Sequence, residues 1–84
     1  MSAHVAIYWD RQDPQNEGWA YGIEGDGLED TGGLYNLSES ATLREAFSAL
    51  LFECPWYARH GLPPVEDFRP LEHDGPGWEA RGGK

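Results

Sequence analysis

Leu43, Ala46, Phe47, Leu50, Leu51 and Cys54 recur at i, i+3, i+4, i+7, i+8 and i+11. Those offsets trace one face of an α-helix, so the spacing predicts a main helix over about residues 40–54 with a continuous apolar stripe. Thr42 and Glu45 stand at capping-box spacing, with Ser38 and Ser40 as alternative caps. Glu39 and Glu45 lie near the end of the helix where the backbone dipole favours negative charge. A stripe of this length must be buried. In a chain of 84 residues there is room for one modest core, and the partner must come from the remaining segments.

Those segments read mainly as strands. In "HVAIYWD", residues 4–10, Val5, Ile7 and Trp9 alternate with His4, Ala6, Tyr8 and Asp10. In "WAYGIE", residues 19–24, Trp19, Tyr21 and Ile23 share one face while Ala20, Gly22 and Glu24 share the other. Period-two alternation of this kind marks strands with one buried face. Between them "RQDPQNEG" carries Pro14, Asn16 and Gly18 and reads as a hairpin loop. "GIEGDGLEDTGG", residues 22–33, then bends the chain on flexible backbone, and "LYNL", residues 34–37, is expected to be a third strand.

After the helix, Pro55 either kinks it or opens a short helical turn through Arg59 closed by Gly61. "LPPVEDF" reads as extended, and "VEDFRPL" suits a short edge strand, where Pro70 is tolerated. From Glu72 onward "EHDGPGWEARGGK" has no period. The expectation is an α+β fold: a three-stranded antiparallel sheet packed against one main helix, with a short C-terminal helical turn or edge strand. Residues 1–71 would form one domain and residues 72–84 a loosely ordered tail.

Charge bounds the function. The net charge is −9, from 15 acids against 6 Lys and Arg. Phosphates would be repelled, so neither nucleic acid nor an anionic membrane surface is an expected direct partner. A basic protein is, although the same charge also serves solubility. Residues 1–43 hold eight acids and one base, whereas residues 44–84 hold seven acids and five bases, so one face should be more acidic than the rest. Cys54 is the single cysteine, which excludes an intramolecular disulfide. With no signal-like segment and no apolar run of spanning length, the expected location is the cytoplasm, and the expected state is a monomer.

No chemistry converges. The carboxylates of residues 22–33 lack the alternate-position spacing of a calcium loop. His4, His60, His73 and Cys54 lack zinc-ligand spacing. Cys54 and His60 are the one nucleophile–base pair in sequence, but Pro55 breaks the register between them and Cys54 belongs to the apolar stripe. The glycines at 25, 27, 32 and 33 do not form a phosphate loop and have no lysine beside them. The chain therefore reads as no enzyme, with no metal and no cofactor.

What remains is an acidic contact surface. Glu24 and Asp26 stand two residues apart at a strand end, about 6 to 7 Å on one face. Glu29 and Asp30 continue the charge, and Asp10, Asp13 and Glu17 cluster around the first hairpin. To a basic groove such spaced carboxylates resemble a row of phosphates, which arginine reads with its fork of donors. Tyr21 and Tyr35 are candidate anchors among these acids. Tyr8, Trp9 and Trp19 are others, with core packing as the alternative for the two tryptophans.

Two resemblances follow. Over residues 5–51, "GWAYGIE" and "ATLREAF" resemble the HicB-like fold in outline, with "GDGLEDTGG" standing where that family has a proline-containing loop. That likeness implies an antitoxin or regulatory partner that sequesters a small basic nuclease. In size, charge and absence of catalytic chemistry the chain also resembles, as a class, the small acidic anti-CRISPR inhibitors encoded by phages. That likeness implies an inhibitor acting in the host cytoplasm, one that mimics DNA and blocks the nucleic-acid site of a basic CRISPR interference complex.

Overall fold

The structure, a computed structural model, describes residues 4–10, 18–25, 28–60, 62–72 and 76–81. Strands β1 (His4–Asp10), β2 (Gly18–Gly25) and β3 (Leu28–Leu34) precede helix α1 (Leu43–Glu53) and helix α2 (Pro55–His60). A 3₁₀ turn at Val65–Asp67 leads to strands β4 (Arg69–Pro70) and β5 (Gly77–Ala80). The five strands form one antiparallel sheet in the order β3-β2-β1-β5-β4.

The first two strands follow the alternation in the sequence. β1 and β2 pair with Val5 opposite Ile23, Ile7 opposite Tyr21 and Trp9 opposite Trp19. These residues point to the helix side, where Val5, Ile7, Trp19, Tyr21, Ile23 and Leu34 are buried with Ala46, Leu50 and Cys54. Trp19 is the hub of the aromatic end of this core. It lies edge-on to Trp9 at 5.6 Å, stacks on Trp78 at 5.4 Å, and donates its Nε1–H to the Ser38 carbonyl at 2.6 Å. That bond satisfies the polar edge of a buried indole, which would otherwise carry a desolvation cost.

α1 begins where the capping pattern requires. The Glu45 amide donates to Thr42 Oγ1 at 3.2 Å, and the Thr42 amide donates to Glu45 Oε1 at 2.8 Å. Thr42→Ala removes half of this reciprocal cap and should cost about 1 kcal/mol, read as a lowered midpoint in urea with unchanged slope. Of the apolar stripe, Ala46, Leu50 and Cys54 are buried and Leu43 and Phe47 pack at the margin, while Leu51 is exposed. The helix ends at Cys54, whose φ of −128° and ψ of 62° are non-helical, and Pro55 opens α2. Proline suits a first helical position because its missing N–H would find no intrahelical partner there.

The expected three-stranded sheet is corrected to five strands. The acidic, glycine-rich segment is not a bend on loose backbone: Leu28–Leu34 is β3 itself, paired with β2 along its length. The chain leaves the sheet after Leu34, with Asn36 at φ 64°, so residues 34–37 are not the third strand. Residues Val65–Asp67 form a turn, and of the expected edge strand only Arg69–Pro70 pairs, at the sheet margin that tolerates proline. The stretch expected to be a loose tail contains β5, which lies between β1 and β4 and supplies buried Ala80 and the stacked Trp78 to the core.

A candidate docking face on the sheet

Because side chains alternate along a strand, the pairing that turns one face to the helix turns the other outward. On that outer face stand Ala6, Tyr8 and Asp10 of β1, Ala20, Gly22 and Glu24 of β2, Glu29, Thr31 and Gly33 of β3, and Glu79 and Arg69 of the far strands. None of these eleven is buried. The centre of the face is small: a Cβ added at Gly22 would meet nothing within 4 Å.

Glu24 and Glu29 are direct cross-strand partners and both are exposed. With His4, Ala6, Gly22 and Thr31 they line an open hollow of 190 Å³. Like charges directly opposite on a sheet cost stability, by about 0.2–1 kcal/mol. A second, wider groove of 730 Å³ lies at the other end of the strands, with Tyr8, Asp10, Ala20, Gly33 and Tyr35 among its lining. The Tyr35 ring rests against Gly33 and is 70% exposed.

Toward β4 the face becomes mixed in sign. His4 Nε2 lies 3.1 Å from Glu79 Oε1. The Arg69 guanidinium turns back to donate to the Glu66 carbonyl at 2.9 Å and to the Phe68 carbonyl at 3.2 Å. The strongly acidic part of the face is therefore its β1–β2–β3 half.

The expected contact residues divide. Asp10, Glu24, Glu29 and Tyr35 lie on or beside the open face. Asp13, Glu17 and Asp26 lie outside the described residues. Asp30 and Tyr21 belong to the opposite side. Asp30 pairs with Ile23, so it shares the helix-side face while its neighbour Glu29 points away. Tyr21 is buried among the core residues, and its ring crosses Gly32 of β3, where a side chain would collide with it. Tyr21 is thus a core residue rather than a surface anchor, as are Trp19 and, in part, Trp9. Glu79 and His4 complete the face; His4 follows from the β1 alternation, whereas Glu79 was hidden in the sequence because β5 was read as tail.

Beneath the sheet, the Tyr21 hydroxyl hydrogen-bonds the Cys54 sulfur. That bond, with burial and the nearby Asp30 and Glu53 carboxylates, holds the Tyr21 phenol protonated well above its ordinary range. Burial pushes the Cys54 thiol up, Asp30 and Glu53 add to the effect, and the Tyr21 bond only partly opposes it. A buried thiol kept in its neutral form is a poor nucleophile. Labelling by a disulfide reagent at about pH 8 should be at least about a hundredfold slower in the native protein than in denaturant; equal rates would contradict the buried Tyr21–Cys54 contact.

Among the described residues no group of three or more His, Cys, Asp or Glu side chains is arranged to hold a metal ion. No helix among them is long and apolar enough to cross a membrane. Comparisons with protein-family models, with curated proteins and with solved structures find no match for this chain.

Proposed function

We propose that the chain is a protein-binding inhibitor whose open sheet face docks on a basic, nucleic-acid-binding effector, a CRISPR interference complex, and occludes its nucleic-acid site. The observation that carries this reading is the opposed pair Glu24 and Glu29 above a floor of Gly22 and Ala6. The pair is held at a cost in stability, with no large side chain between the carboxylates and the sheet. An arginine or lysine from a partner can reach down to both carboxylates at once, as it would to phosphate oxygens. Tyr8 and Tyr35, on the neighbouring groove, offer rings on which a guanidinium or an apolar side chain can lie.

Glu24→Lys separates this role from a merely structural one. It places opposite charges across the β2–β3 pair, so thermal stability should rise slightly, by about 0.2–1 kcal/mol. Inhibition should nevertheless fall by at least about tenfold, because an attractive contact becomes repulsive. The assay is binding of labelled target DNA by purified interference complexes, with and without the protein, over a salt series. Wild-type inhibition should weaken steeply with salt. If Glu24→Lys inhibits as well as the wild type, the docking face is misassigned. A tight one-to-one complex with a small basic nuclease, with no response from any interference complex, would replace the inhibitor by an antitoxin-like partner.

A further inference from the structure

The two edges of the sheet differ. β4 is two residues long and ends in Pro70, whose missing N–H leaves little for another strand to pair with. β3 is seven residues long and has neither proline nor lysine. An edge of that length presents a row of backbone donors and acceptors.

Register identifies those groups. In an antiparallel ladder successive residues turn their N–H and C=O to alternate neighbours. The Trp9 amide donates to the Pro76 carbonyl at 3.2 Å, on the β5 side. Val5, Ile7 and Trp9 therefore turn to β5, and His4, Ala6 and Tyr8 turn to their partners Glu24, Gly22 and Ala20 on β2. Trp19, Tyr21 and Ile23 are left to bond Leu34, Gly32 and Asp30 of β3. The N–H and C=O groups of Glu29, Thr31 and Gly33 thus face outward, and among the described residues none has a backbone partner.

We infer that this edge binds an extended basic segment of a partner protein, which adds to the sheet as a further antiparallel strand beside β3. Glu29, Thr31 and Gly33 each offer it one N–H and one C=O, at the two-residue spacing a strand requires. Charge selects the occupant. Glu29 and Asp30 are adjacent, so they stand on opposite faces of the strand. A strand laid alongside meets one carboxylate on each face, and two consecutive Lys or Arg residues would pair with both. No Lys, Arg or His occurs from residue 12 to residue 43, so no base nearby in sequence offsets these acids. A second copy would bring the same two acids and a further net charge of −9, which disfavours it. The contact is made by backbone along the sheet margin and does not depend on what the open face binds.

The probe is the capped peptide Val-Thr-Val-Thr-Arg-Lys-Val, which in antiparallel register sets its Lys opposite Glu29 and its Arg opposite Asp30. Titrated into the isotope-labelled full chain and followed by NMR, it should bind with a dissociation constant below about 1 mM. The amides of Glu29, Thr31 and Gly33 should shift and gain about tenfold in hydrogen-exchange protection, while those of Asp30 and Gly32, already bonded to β2, change far less. An N-methyl group on the central Thr of the probe, whose N–H would face β3, should weaken binding by about tenfold or more; on the Val before it, whose N–H faces away, it should not. Replacing the probe's Arg and Lys by Glu should abolish binding. Thr31→Pro removes an edge donor that the fold does not use, and should abolish binding with an unchanged circular dichroism spectrum. No binding at about 1 mM, shifts confined to Tyr8, Gly22 and Glu24 of the open face, equal affinity for the two N-methyl probes, or dimers of the chain alone paired along β3 would each overturn the inference.

Discussion

Leu50→Ala should lower the unfolding free energy by about 2 to 5 kcal/mol, enough to leave much of the protein unfolded near room temperature. Leu50 is fully buried and sits in the middle of α1, facing the sheet. Its loss removes apolar contact area and leaves a cavity that a rigid sheet cannot collapse into. An 84-residue domain has little stability in reserve. Leu51→Ala, one residue along, is the control: Leu51 is 36% exposed and on the helix flank, so its truncation should cost under about 1 kcal/mol. Urea denaturation of the two variants checks the assignment of the helix face. Equal losses would contradict it.

Gly77→Ala should be comparably damaging, by about 3 kcal/mol, for a reason that has nothing to do with hydrophobic area. Gly77 has φ 150°, a conformation that side chains rarely adopt. A Cβ at this position would collide with the Ile7 carbonyl oxygen and the Leu71 side chain. The Leu71 methyl can swing aside, but the Ile7 carbonyl is fixed because it belongs to the backbone of central strand β1. Relief would require β5 to move off β1, which would withdraw Trp78 from its stack on Trp19 and Ala80 from the core. The variant should therefore lose stability and also lose hydrogen-exchange protection along β1 and β5 first. A loosely ordered tail would accept the substitution silently, so undiminished stability would remove β5 from the sheet.

Strands β1 and β2 and most of α1 were legible in the sequence, because in each the apolar period matches the element that forms. β3 was hidden. "LEDTGGL" has two glycines and two acids in seven residues, poor strand composition whose pairing is imposed by β2 and by the tyrosine rings that lie across Gly32 and Gly33. A signal was nevertheless present: Asp26-Gly27, a dipeptide favoured in two-residue hairpin turns, lies between the paired residues Gly25 and Leu28. β5 is only four residues long and begins with glycine, too short for periodicity to register. The tertiary contacts of Trp78 and Ala80 make it a strand.

The site was legible in composition and obscure in geometry. Once residues 28–34 are a strand, adjacent acids must part, and Glu29 and Asp30 cannot share a surface. Tyr21 stood on the same alternating face as Trp19 and Ile23 from the start, so its burial followed from a pattern already recognised. The opposition of Glu24 and Glu29 went unread because residues 28–33 read as part of a bend, although Asp26-Gly27 favours the hairpin register that creates it.

Competition decides whether the open sheet face and nucleic acid exclude one another on a basic effector. An interference complex preloaded with labelled target DNA is titrated with the protein, and both DNA and protein are followed in the same sample. Each bound protein should displace DNA, with the apparent dissociation constant for the DNA rising linearly with protein concentration. A stable ternary complex, holding DNA and this protein together at saturation, would contradict it.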